Sequence, residues 1–147
     1  MAQLTKKKIL IYLLVLGIGA TAVAFYLYNK GPLDVRGSNG LAVKAVDLYH
    51  IFSTDSTVAG SMYIDKILAV QGIVKEVNQK DKQQQVILLK TSDDGAAVNC
   101  TMESPIANVS PSDKLIIKGI CSGIGQGDTE LGIPGDVYLT RCYSEKK

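Results

Sequence analysis

The stretch "ILIYLLVLGIGATAVAFYLY", Ile9 to Tyr28, runs for 20 residues without a charge. As a helix it would cover about 30 Å, the thickness of bilayer hydrocarbon, so it is long enough to span a membrane. Lys6, Lys7 and Lys8 precede it directly. The positive-inside rule therefore holds the N-terminus in the cytoplasm and sends everything after Lys30 across the membrane. A cleaved secretory signal is the competing reading, because "AVA" at Ala22 to Ala24 has the small-x-small pattern of a cleavage site. The apolar run continues past that point through Phe25 to Tyr28 and exceeds the usual h-region of about 7–15 residues, which favours an uncleaved anchor. Both readings export the remainder. No cysteine precedes Cys100, so lipid attachment beside the membrane is disfavoured.

The segment also distorts the averages. Four of the 16 basic residues and none of the 14 acidic ones lie in residues 1–30, which leaves 12 against 14, a net of −2, for the rest. An exported, slightly acidic domain has no polyphosphate footprint. The organisation expected is a Lys-rich start and transmembrane helix over 1–30, a Gly/Pro linker over 31–40, and one extracytoplasmic domain over 41–147. That is a single-pass protein of the cytoplasmic (inner) membrane, its C-terminal domain periplasmic if the envelope is Gram-negative.

Within the domain, Leu41, Ala45, Leu48 and Phe52 recur at helical spacing, so "LAVKAVDLYHIF" predicts an amphipathic helix capped by Ser38 or Asn39. Ser53 or Asp55 caps a further turn or two that Gly60 ends or bends. The period then changes to two. "KILAVQGIVKEVNQ", "QVILLKT", "AAVNCTM", "KLIIKGIC" and "DVYLTRC" read as five strands, with Gly72 marking a bulge or bend in the first. "QKDKQQ" and "SDDG" are turns, "ESPIANVSPSD" a connector with room for a short helix, and "YSEKK" a frayed tail. The fold class expected is mainly β: a five-stranded OB-fold barrel preceded by an amphipathic helix and the transmembrane helix.

Tyr63 and Lys66, "V-x-G-x-V" at Val70 to Val74, "VNC" at Val98 to Cys100, "IKGICSG" at Ile117 to Gly123 and "DVYLTRC" at Asp136 to Cys142 resemble the tRNA-anti-like OB-fold family over roughly Leu41 to Cys142. The resemblance implies a bacterial membrane-anchored or lipoprotein-type barrel of unestablished function. The family name compares the fold with anticodon-binding OB domains and does not itself imply tRNA binding. One departure is the long, glycine-rich connection from Cys121 to Asp136.

That connection invites a phosphate-loop reading, but no Lys-Ser/Thr pair closes its last glycine and no helix follows. Asp128, Glu130 and Asp136 also place carboxylates where an anion would sit. It reads as a flexible hairpin between the last two barrel strands. In an OB fold it also flanks the usual binding face, which makes Gly123, Gly125, Gln126, Gly127 and Asp128 candidate ligand-loop residues. The second and third barrel strands carry no aromatic residue and one cation, Lys90; Tyr49, Phe52, Tyr63, Tyr138 and Tyr143 are placed in core or helix packing, so nucleic-acid binding is disfavoured.

His50, Ser53 and Asp55 have the residue types of a triad but lie within six positions, and capping explains them. No catalytic residue, cofactor or metal site is expected, since no two cysteines stand at C-x-x-C spacing and His50 is the single histidine. In an OB barrel the third and fifth strands run parallel as neighbours, which brings Cys100 and Cys142 to one end and makes them the preferred disulfide, with buried free thiols as the alternative. Such a bridge would contribute roughly 3–4 kcal/mol in the chain-entropy model. The function expected is a non-enzymatic, membrane-anchored binding module for a protein, peptide or small ligand. The alternative is an accessory subunit packing through the small residues of "GIGA", Gly17 to Ala20, and an oligonucleotide-binding domain is the remote one.

Overall fold

A computed structural model describes residues 6–29, 34–81, 84–128 and 130–145. The turn residues Lys82 and Gln83, the linker residues Lys30 to Leu33 and the terminal Lys146 and Lys147 lie outside the described residues. The chain divides into two compact units, 1–34 and 35–147. The first contains helix α1, Lys6–Asn29. Within it Ile11–Asn29 has a mean hydropathy of 2.0 and is long and apolar enough to cross a membrane. Thr21 Oγ1 donates back to the carbonyls of Gly17 and Ile18 at 3.0 and 2.9 Å, so that hydroxyl is satisfied within the helix.

The second unit starts at Val35, inside the segment read as linker, because that side chain is buried. Strand β1, Leu41–Lys44, then runs parallel to β2, Ile67–Asp81, with Leu41 opposite Leu68 and Lys44 opposite Gln71. This corrects the helix expected to begin at Leu41. Gly40 allows the pairing, since a Cβ there would lie 2.9 Å from the Ala69 nitrogen. Leu41 is consequently exposed rather than part of the helical stripe.

Helix α2, Ala45–Thr54, starts at Lys44 with no side-chain cap, so neither Ser38 nor Asn39 caps it. It buries Ala45, Leu48, Tyr49 and Phe52, one side of a 3.6-residue repeat. Helix α3, Ser56–Tyr63, is capped by Asp55, whose carboxylate accepts from the Thr57 and Val58 N–H groups at 3.0 Å each. It runs through Gly60 instead of ending there, and Tyr63 reaches the Phe52 ring with 6.2 Å between centroids.

Five strands close the barrel. β2 pairs with β3, Gln84–Lys90; β3 with β4, Ala97–Met102; β4 with β6, Val137–Ser144; β6 with β5, Lys114–Ile124; and β5 returns to β2. All these pairs are antiparallel except β4 with β6. A single strand can serve two sides of the barrel because β2 pairs with β5 over Ile67 to Ile73 and with β3 from Val74 onward. The register shifts with β3 fall between Val74 and Glu76 and between Gln79 and Asp81, and not at Gly72. Gly72 instead clears space inside, where a Cβ would meet Leu89 at 3.0 Å and Ala45 at 3.1 Å, so the start of α2 can rest on the strand.

Leu68, Val70, Val74, Ile87, Leu89, Val98, Ile117, Val137 and Leu139 fill the interior with α2 across it. The connector between β4 and β5 contains turns and bends but no helix among the described residues. β6 extends through Ser144, so the expected frayed tail is strand as far as that residue.

Candidate ligand-binding face

Alternation along the pleat fixes which side chains a ligand could reach. In β3 the inward set is Gln85, Ile87 and Leu89, which leaves Val86 and Leu88 outside; in β4 Val98 and Cys100 point in, and Asn99 points out. Register then aligns the outer residues across four strands: Glu76 lies opposite Leu88, Leu88 opposite Asn99, and Asn99 opposite Tyr138. Asn78, Gln79, Gln84, Val86, Leu88 and Asn99 line a groove of about 490 Å³ on this side. The lining is aliphatic and amide, with neither a cation nor a carboxylate among the described residues. Carboxamides both donate and accept, so such a groove suits uncharged polar groups on an apolar body, and its described lining residues supply no cation to a phosphate.

Tyr138 corrects the sequence reading. It is 41% exposed beside Asn99 and is not core, whereas Tyr49, Phe52 and Tyr63 are buried as expected. The parallel neighbours β4 and β6 carry the signal that could have found it, but only the register says that residue 138 meets residue 99. Tyr143 is partly buried, with the Arg36 guanidinium 5.1 Å from its ring centroid.

The glycine-rich connection packs beside Tyr138 through Gly125. Gly123 belongs to β5, at a register shift with φ +103°, and packs toward Ile64. Gly125 donates its N–H to the Asp136 carbonyl at 2.8 Å, and a Cβ there would lie 2.7 Å from Tyr138 Cε2. Gly127 and Gly135 meet face to face: a Cβ on Gly127 would overlap the Ile133 carbonyl, and one on Gly135 the Gly125 carbonyl. Asp128 turns the tip, its Oδ1 accepting from the Glu130 and Leu131 N–H groups at 3.0 and 3.1 Å while its carbonyl accepts from Ile133 at 2.8 Å. Asp136 Oδ1 accepts from Ala97 N–H at 2.8 Å, tying the hairpin base to β4.

The N–H groups of Gly125, Glu130, Leu131 and Ile133 are spent on the loop itself, and Gly125, Gly127 and Gly135 serve close backbone approach. Of the five loop residues singled out from sequence, Gln126 presents an exposed side chain with no hydrogen bond among the described residues, while Asp128 is consumed by the turn. Leu131 and Ile133 stand exposed at the tip.

Cys100, Cys121 and Cys142 are buried thiols. The neighbouring Cys142 side chain, followed by burial, pushes the Cys100 thiol well above its ordinary value of 9.0. Burial likewise raises Cys121. Cys142 turns inward after Arg141, which takes φ +53°, and its sulfur lies over Gly119, where a Cβ would be 2.5 Å away. Elsewhere, Ser53 Oγ donates to the main-chain carbonyl of His50 at 3.0 Å and Asp55 caps α3, so His50, Ser53 and Asp55 do not converge on one point. No three His, Cys, Asp or Glu residues group as metal ligands among the described residues.

The model of the tRNA_anti-like family matches residues 1–131, most of the chain. The chain belongs to the tRNA_anti-like family. The match takes in the N-terminal helix and stops inside the glycine hairpin, so β6 and Tyr138 lie beyond it. A lipoprotein from Klebsiella pneumoniae subsp. pneumoniae, whose given name proposes nucleic-acid binding, shares the barrel. It has 16% identity and a TM-score of 0.51 over 79% of this chain and 100% of that one. An aspartyl-tRNA synthetase from Entamoeba histolytica aligns at 12% identity and a TM-score of 0.38, over 54% of this chain and 18% of that chain. A protein from Leishmania major Friedlin named as a candidate aspartyl-tRNA synthetase aligns at 9% identity and a TM-score of 0.44, covering 78% of this chain and 22% of that one. This chain thus spans about a fifth of those two proteins. No curated protein matches it.

Proposed function

We propose that this family member is a binding module without catalysis, held by α1 at the outer face of a cytoplasmic membrane, that takes an uncharged segment of a protein or peptide, or a small neutral ligand, on the outer face of β2, β3 and β4. The groove lining carries the proposal: amides beside Val86 and Leu88, with Tyr138 opposite Asn99. Amides pair with peptide or hydroxyl groups, and the exposed aliphatic and aromatic side chains supply contact area. Membrane attachment rests on the span Ile11–Asn29 and the lysines before it, and the outward orientation on the positive-inside rule.

The test places a photo-crosslinking amino acid at Leu88, and separately at Ser122 on β5, in the full chain in its own membranes. A specific adduct from position 88 that is absent from position 122 and lost in Asn99→Asp plus Tyr138→Ala is expected. Equal labelling from both positions would remove the groove from consideration. Loss of the adduct in Gly17→Leu plus Ala20→Leu with the groove untouched would favour assembly through α1 instead.

A second reading, oligonucleotide binding, is favoured by Tyr138 as a base-stacking surface and by the name of the Klebsiella protein. Single-stranded DNA or RNA added at physiological salt should raise no anisotropy at micromolar protein. Saturable binding abolished by Tyr138→Ala would establish that reading in place of the first.

A further inference from the structure

A second concavity, of about 230 Å³, opens where β1, β2, β3 and β5 meet, on residues that the groove does not use. Its apolar floor is Val46, Gly72 and Ile73, with Val46 and Ile73 exposed at 44% and 39%. Lys44 ends β1, Lys90 ends β3 and Lys114 begins β5, so three separate elements bring a lysine side chain to the lining of one concavity. Register brings them there: Lys44 is opposite Gln71 and Lys114 opposite Ile73, two residues apart on β2. Gln71 is the remaining lining residue, and no carboxylate lines the cavity among the described residues.

Other described lysines of the domain are engaged. Lys118 pairs with Glu145 at 2.6 Å, and Lys75 donates to the carbonyls of Asp94 and Ala96. Lys44, Lys90 and Lys114 make no such bond among the described residues. Three like charges around exposed aliphatic side chains repel one another, and in a domain of net negative charge that arrangement has a complement: an anion joined to an apolar tail.

We infer that Lys44, Lys90 and Lys114 with Val46 and Ile73 form a site for a small single-chain amphiphile with a phosphate or carboxylate head, its tail on the aliphatic floor. The full chain in phosphatidylcholine nanodiscs, titrated calorimetrically against empty nanodiscs, tests this with hexyl phosphate, inorganic phosphate and hexanol. Hexyl phosphate should bind saturably, at least about tenfold more tightly than inorganic phosphate, with hexanol silent. The triple variant Lys44→Gln, Lys90→Gln, Lys114→Gln should weaken it by more than about tenfold. Ile73→Gln should bring hexyl phosphate down to the level of inorganic phosphate, with unchanged thermal unfolding marking both variants as folded.

Absence of saturable binding, an undiminished triple variant, or equal affinity for the two phosphates would each overturn the inference. Repeating the titration with phosphatidylglycerol in the disc should leave the affinity unaltered. A tenfold loss there would assign the pocket to bilayer headgroups and overturn the choice of a free amphiphile.

Discussion

Gln85 is a buried polar side chain, 4% exposed, yet it is fully satisfied. Its Nε2 donates to the Ile106 carbonyl at 3.1 Å and its Oε1 accepts from the Ile106 N–H at 2.8 Å, so one amide does for the β4–β5 connector what a neighbouring strand would do. Replacing it with leucine leaves a donor and an acceptor of the connector without partners. Gln85→Leu should therefore lower unfolding free energy by about 1–3 kcal/mol in chemical denaturation. The cysteines give a second prediction at this scale. Burial and the raised Cys100 and Cys121 thiols should protect all three from alkylation in the native protein. After unfolding without reductant, a Cys100–Cys142 bridge predicts one reactive thiol by mass; three would show that the bridge does not form. In the reduced protein the folded state holds the Cys100 and Cys121 protons more tightly than the unfolded chain. Their contribution to stability is thus complete below the ordinary value of 9.0 and falls as pH rises through the raised values, which a denaturation series across that alkaline window would register.

Among elements, the hairpin between β5 and β6 shows why glycine count misleads. Gly125, Gly127 and Gly135 pack backbone on backbone, and the Gly125 N–H to Asp136 carbonyl bond closes the base. Gly135→Ala should force the two arms apart and cost about 1–3 kcal/mol by thermal unfolding, with faster amide exchange at Gly125; unchanged exchange would mean the arms are not tightly paired. From sequence the stretch was legible as a hairpin, because its flanks alternate as strands. Its close packing was not, since glycine composition is the same for a loose connection and for a tight one. The same limit explains β1. "LAVK" continues a helical apolar repeat, and only the distant edge of β2, which places Leu68 opposite Leu41, recruits it as strand.

For the whole molecule, the prediction concerns topology: protease added to intact spheroplasts should degrade the 35–147 unit without lysis, and protection until lysis would reverse the orientation assigned from Lys6, Lys7 and Lys8. The apolar run, the α2 stripe from Ala45 onward, the Asp55 cap, the five barrel strands and their order were determined by sequence alone. Each depends on hydrophobic period or capping chemistry within a few residues of itself. Tertiary structure decided that β1 joins β2, that Tyr138 meets Asn99, that Gln85 holds Ile106 and that Lys44, Lys90 and Lys114 line one concavity. Those are pairings between distant residues, set by register and barrel closure, and a one-residue slip that leaves every local pattern intact would send each side chain to the opposite face.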